Sequence, residues 1–244
     1  MGWNYNVNGK TRKPLPGWLP FVAGFALVVQ FAGLGGWQVS RGLEKRAQQE
    51  MFADDSAFTH WSAGEAVRPY QRLSVSGAFL SDRQVLLDNI ILDSRYGYYV
   101  LTPLELGDDN ALLLVNRGWM ERSGQDVDAD TLAVPAAMRQ LRGRAGSLPR
   151  AGYRMGTAFG DDTSWPRRAL YPSLDEVAAA LGRPVQPFVL LMEPDDAPGF
   201  LRYWMPEEMG PGRHFAYALQ WFAMGAVLAA LLVWHYRRRR QPHD

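Results

Sequence analysis

Two uncharged apolar runs lie near the ends of the chain, and between them apolar and polar positions alternate at short range. Residues 18–37 contain no charged side chain and one strongly polar one, Gln30; residues 215–234 repeat the pattern with Gln220. Twenty residues at helical rise cross a bilayer core of about 30 Å. A soluble helix of that length would carry a polar face, so each run predicts a transmembrane helix. The first run is longer than the roughly 7–15-residue core of a signal peptide and no A-x-A-like cleavage site follows, so it reads as an uncleaved span. Beyond it, Val39, Leu43, Ala47 and Met51 recur at helical spacing, which predicts a leading helix over 38–53 outside the membrane. Asp54, Asp55 and Ser56 end it.

The centre switches to a two-residue period. Leu73, Val75 and Phe79 alternate with polar residues, and 84–92, 98–106 and 111–119 are apolar runs rich in β-favouring residues. Asp108, Asp109 and Asn110 predict a hairpin turn between the last two. Residues 139–145 and 187–192 are further strands. Ser173 and Glu176 form a capping-box signature before Val177, and Gly182 supplies the stop. Residues 146–172, rich in Gly, Pro and Arg, predict a long exposed loop. The expected fold is a membrane protein with N- and C-terminal transmembrane α-helices flanking a small β-rich α+β extracytoplasmic domain.

Charge adds topology. The 244 residues carry a net charge of +1, which gives no general attraction to nucleic acid; the basic residues gather at the ends. Lys10, Arg12 and Lys13 before the first span balance Arg41, Lys45 and Arg46 after it. Arg237 to Arg240 beyond the second span, against Arg213 before it, place both termini in the cytoplasm by the positive-inside bias. The expected organisation is a cytoplasmic tail (1–16), a first span (17–37), a domain outside the cytoplasm (38–212), periplasmic if the cell is bacterial, a second span (213–236) and a basic tail (237–244).

Several chemistries are excluded. There is no cysteine, hence no disulfide, thiolate metal site or cysteine nucleophile. The four histidines, at 60, 214, 235 and 243, show no metal-ligand spacing. Phosphate-loop, nucleophile-elbow and metalloprotease motifs are absent. The acidic pairs 54–55, 108–109, 161–162 and 195–196 all fall where turns are expected. Gly33, Gly35 and Gly36 lie within a span, where close helix packing is the simplest role, and Gly225 with Ala229 can supply the facing surface. An enzyme is not expected.

Interest therefore centres on the membrane interface. His214 heads the second span, and His214, Trp221 and Gly225 share one stripe with Tyr217 beside it. A neutral imidazole there can ligate iron, bond lipid headgroups or cap the helix. Tyr217 and Trp221 have a plain use as interfacial anchors. Trp37 and Arg41 stand one helical turn apart. Arg117 ends a strand, where a surface salt bridge is the ordinary expectation.

Four segments together resemble a known family. Residues 34–41, Leu-Gly-Gly-Trp-Gln-Val-Ser-Arg, with Lys45 following, are similar to the opening motif of the surfeit-locus family of cytochrome c oxidase assembly factors. Residues 96–103 and 115–119 resemble its central motifs, and His214, Tyr217, Ala218, Gln220, Trp221 and Phe222 its closing one. The resemblance implies a factor that assists haem a insertion into oxidase subunit I, with haem a bound transiently and His214 as the metal ligand. It implies subunit I, haem a synthase and the lipid bilayer as partners. On that reading Trp37, Tyr217 and Trp221 would stack on the macrocycle. Arg41, Arg117 and Arg213 would serve its propionates. The family usually has asparagine two residues before the histidine; here it is Gly212. The competing expectation is a membrane chaperone that holds an oxidase intermediate without binding haem.

Overall fold

The computed structural model describes residues 16, 18–107, 110–122, 127, 129–135, 137–150, 156–194, 200–204 and 210–240. In chain order its elements are α1 (Leu19–Ala53), β1 (Thr59–His60), β2 (Arg72–Phe79), β3 (Val85–Leu92), β4 (Arg95–Glu105), β5 (Leu112–Glu121), α2 (Ala129–Leu132), β6 (Arg139–Gly146), β7 (Arg167–Ala169), α3 (Leu174–Leu181), β8 (Val185–Met192) and α4 (Pro211–Arg239). They fall into two compact units, residues 49–206 and residues 1–48 with 207–244.

The first unit is built on one sheet, ordered β1-β2-β6-β8-β5-β4-β3-β7. β2 also pairs with β4, Ala78 opposite Glu105 and Phe79 opposite Leu104, so β2, β6, β8, β5 and β4 close into a small barrel. Closure depends on Gly77, where an added Cβ would lie 2.5 Å from the Glu105 carbonyl oxygen and 2.6 Å from Leu104. Only hydrogen fits between two strands brought that close.

The two-residue period decides what fills the barrel. Leu73, Val75 and Phe79 of β2, Leu113 and Val115 of β5, Leu141 and Ala145 of β6, and Phe188, Leu190 and Met192 of β8 form one buried cluster with Leu104 and Trp61. The alternate positions Leu114 and Val189 face outward, where Val85, Leu87 and Leu101 join them beneath Val177 of α3. Leu86, Tyr98 and Val100 pack on Leu132 of α2. The helix α3 has both predicted caps: Ser173 and Glu176 bond each other's backbone N–H groups, and Gly182 takes the left-handed conformation at φ 68°.

The stretch 146–172 departs from the expected loop. Leu148 and Ala158 are buried, and β7 pairs in parallel with β3. A three-residue strand of two arginines and an alanine has no readable period, which is why composition pointed the other way. The expected turn at 108–109 and the acidic pair 195–196 lie outside the described residues. Asp55 is exposed but lies 3.3 Å from Arg144, whose Nη1 donates to the carbonyls of Phe52 (2.9 Å) and Asp54 (3.0 Å). The Phe52 carbonyl, orphaned in the last turn of α1, thus finds a donor on β6, as does the Asp54 carbonyl just beyond the helix.

The other unit is a helix pair. α1 has 35 residues, about 52 Å at helical rise, and its apolar stretch and the part beyond it form one unbroken helix. α1 and α4 are both long and apolar enough to cross a membrane, and 11% of each apolar window is buried within the protein. A soluble core helix would bury most of that surface, so these two offer it to lipid.

Candidate functional site in the helix pair

The buried positions of α1 are Gly24, Gly35, Gly42 and Lys45; those of α4 are His214, Ala218 and Gly225. With the half-buried Phe31 and Gln38 on one helix and Trp221 on the other, each set advances by three, four or seven residues. That spacing is the seam of two antiparallel helices in coiled-coil-like contact. Small residues let the backbones approach. A Cβ at Gly35 would lie 2.6 Å from the Phe222 ring, one at Gly42 2.7 Å from Phe215, and one at Gly24 2.6 Å from Leu232. Gly33 and Gly36 have nothing within 4 Å of that position, so of the three glycines expected to pack, Gly35 alone does so. Gly225 meets Phe31, whose ring stands 5.7 Å from that of Trp221.

In this apolar seam His214 is 9% exposed, and its Nδ1 lies 2.8 Å from Gln38 Oε1. Gln38 was not among the residues singled out from sequence, although the heptad step 24, 31, 35, 38, 42, 45 contains the signal. The substitution at position 212 is not the loss it looks. α4 begins at Pro211, and residues two apart on a helix point to opposite sides. Gly212 is exposed, with nothing within 4 Å of an added Cβ. The partner of the imidazole comes from across the seam.

The other expected site residues are distributed unevenly. Trp221 is inside the seam against Phe31, while Trp37 and Tyr217 are 55% and 47% exposed on the outer surface of the pair. Arg41 pairs with Glu44 and Arg213 is exposed. Arg117 belongs to the barrel unit, within β5 and not at its end, and among the described residues it is in no salt bridge. Its Nη1 donates to Leu132 O at 2.7 Å, its Nη2 to Ala133 O at 3.4 Å, and its guanidinium stands 5.1 Å from the Phe200 ring. Burial, with Arg202 and Arg139 nearby, pushes its pKa down to about 10. The apolar positions Leu43 and Met51, whose spacing predicted the leading helix, are 55% and 41% exposed. The seam instead continues through Gly42 and Lys45, because α4 begins level with that turn and sets Phe215 against Gly42. Among the described residues, no three His, Asp or Glu side chains are grouped to hold a metal ion.

Residues 25–226 match the model of the SURF1 family. The chain belongs to the SURF1 family. This is a family of assembly factors, generally associated with cytochrome c oxidase assembly. Among its relatives is a SURF1-like protein of Monosiga brevicollis, 25% identical over 87% of this chain and 85% of its own. Another, from Rickettsia conorii, is 26% identical over 86% and 88%. A third, from Drosophila melanogaster, is 24% identical over 82% and 71%. Two terminal helices able to cross a membrane, with a strand-rich domain between them, are the architecture of this SURF1-family chain.

Proposed function

We propose that this protein serves the assembly of a haem-copper cytochrome c oxidase by binding haem a at His214 and assisting its insertion into subunit I. The observation that carries the reading is an imidazole buried between two lipid-facing helices, in a seam whose other polar members are Gln38 and Lys45. An ionisable group at such a place costs stability, so its presence points to a function. The donor set suits the cargo: one imidazole can hold a haem iron, and apolar surroundings suit the macrocycle and its tail. Trp37, Tyr217 and Arg213 lie on the exposed surface of the same unit, available for ring stacking and for propionates, and Arg41, paired with Glu44, stands one turn from Trp37. Arg117 is engaged by backbone carbonyls in the barrel unit and is left out of the site. Haem a, if bound, would bring the iron to be ligated; the His214 imidazole would be the one ligand this chain offers it, and a single ligand permits release.

In this reading the protein lies in the inner membrane of a bacterium, with both termini in the cytoplasm and the barrel in the periplasm, beside haem a synthase as donor. His214→Ala is expected to abolish the haem absorption that copurifies with detergent-solubilised protein, and full occupancy in that variant would remove the ligand assignment. A reporter fused after residue 244 is expected to be active in the cytoplasm; export of the reporter would reverse the topology.

A second reading, a chaperone that grips an oxidase intermediate without haem, draws on the barrel. Its interior is packed with side chains, so the domain acts through its surface, where Ile91, Tyr96, Leu201 and Tyr203 are at least half exposed. Colourless protein from haem a-producing cells that still pulls down subunit I would favour it.

A further inference from the structure

We infer that Gln38 is a positioning residue for His214: it holds the imidazole in the tautomer protonated at Nδ1 and thereby leaves Nε2 as the ligating atom. This rests on the haem-binding reading for its purpose, though not for its geometry. Gln38 Oε1 stands 2.8 Å from His214 Nδ1. An amide oxygen only accepts, so the ring nitrogen facing it carries the proton. A neutral imidazole has one such proton, so its Nε2 bears a lone pair. An unconstrained histidine prefers the opposite tautomer, with the proton on Nε2, which leaves the lone pair on Nδ1, the nitrogen that faces Gln38 here. The second contact of a metal-binding histidine commonly has this form, an N–H directed at a carbonyl or carboxylate.

The surroundings explain why a glutamine does this. A carboxylate in the same seam would bring a charge into hydrocarbon, whereas an amide gives the acceptor without it. The amide is also held in place by its neighbours. One turn to either side, Gly35 against Phe222 and Gly42 against Phe215 fix how closely the helices approach. The hydrogen bond therefore joins α1 to α4 at a separation set by packing. Lys45, the next buried polar residue of the seam, is one heptad beyond Gln38.

The test uses the full chain, haem-free, with ¹⁵N-labelled histidine in lipid nanodiscs at a pH where imidazole is neutral. Two-bond ¹H–¹⁵N correlation spectra report the tautomer, and the His214 signals are assigned by their loss in His214→Ala. Wild type is expected to carry the proton on Nδ1. Gln38→Leu should shift His214 to the Nε2-protonated form, and Gln38→Glu should keep Nδ1 protonated, which controls for loss of helix pairing. Haem titration of Gln38→Leu should then show affinity lowered roughly 10–100-fold. A wild-type His214 protonated on Nε2, or a tautomer unchanged in Gln38→Leu, overturns the inference. The expected tautomers without haem binding by wild type would instead support the positioning role and sink the haem-binding reading.

Discussion

Gly35→Leu separates close packing of the seam from mere apolarity of the span. A Cβ at Gly35 would lie 2.6 Å from Phe222 Cε1 and 2.8 Å from Cζ. Carbon atoms in ordinary contact stay about 3.5–4.0 Å apart, so the overlap is roughly 1 Å before the rest of the leucine is placed. Overpacking of this size costs about 1–3 kcal/mol, relieved either by turning Phe222 out to lipid or by parting the helices. In a pairing equilibrium that is roughly a 5–150-fold shift. Gln38 is one turn away, so parting the helices by an ångström takes its 2.8 Å bond to His214 beyond hydrogen-bond range. Helix pairing is measured with a short thiol crosslinker between Phe31→Cys and Trp221→Cys, in a chain with no cysteine of its own; haem per protein is read by absorption. Both should fall in Gly35→Leu and recover when Phe222→Ala is added. Gly33→Leu and Gly36→Leu, where the position is open, should leave both unchanged. Equal loss at all three glycines, or none at Gly35, would refute the seam as described.

Three further outcomes follow from the barrel unit. Leu190→Ala removes a fully buried side chain from a barrel whose β2–β4 closure limits collapse, so unfolding free energy in urea should drop by about 3–5 kcal/mol; a loss below about 1 kcal/mol would mean the interior is not closed. Burial holds the Tyr99 phenol above its ordinary value of 10.0. Above that pH the unfolded chain releases the proton while the folded chain keeps it, so stability is intact below it and falls as pH rises further. Tyr99→Phe should make that alkaline fall shallower in urea midpoints taken between about pH 8 and about pH 11, and an unaltered slope would exclude burial of this phenol as a cause. Ser173→Ala removes half of a capping box and should cost about 1 kcal/mol in the same assay, with Ser173→Asp restoring it; no loss would show that the cap is not formed in solution.

Local chemistry and periodicity determined much of this protein. Twenty uncharged residues near each end mark α1 and α4, because a surface helix of that length in a soluble protein carries a polar face. Alternation defines β2, and Ser173, Glu176 and Gly182 define both ends of α3, because caps are local hydrogen bonds. The motif around Trp37 and the one around His214 carried a family resemblance that the family match bears out. Tertiary structure alone decided the rest. β2 meets β4 across 25 residues of chain because Gly77 admits the Glu105 carbonyl, and no period announces a barrel closure. Arg117 looked available because a strand end is usually wet, yet the carbonyls of Leu132 and Ala133 fold back over it. Gln38 and His214 are 176 residues apart in sequence, and only the antiparallel register of two helices brings one to the other.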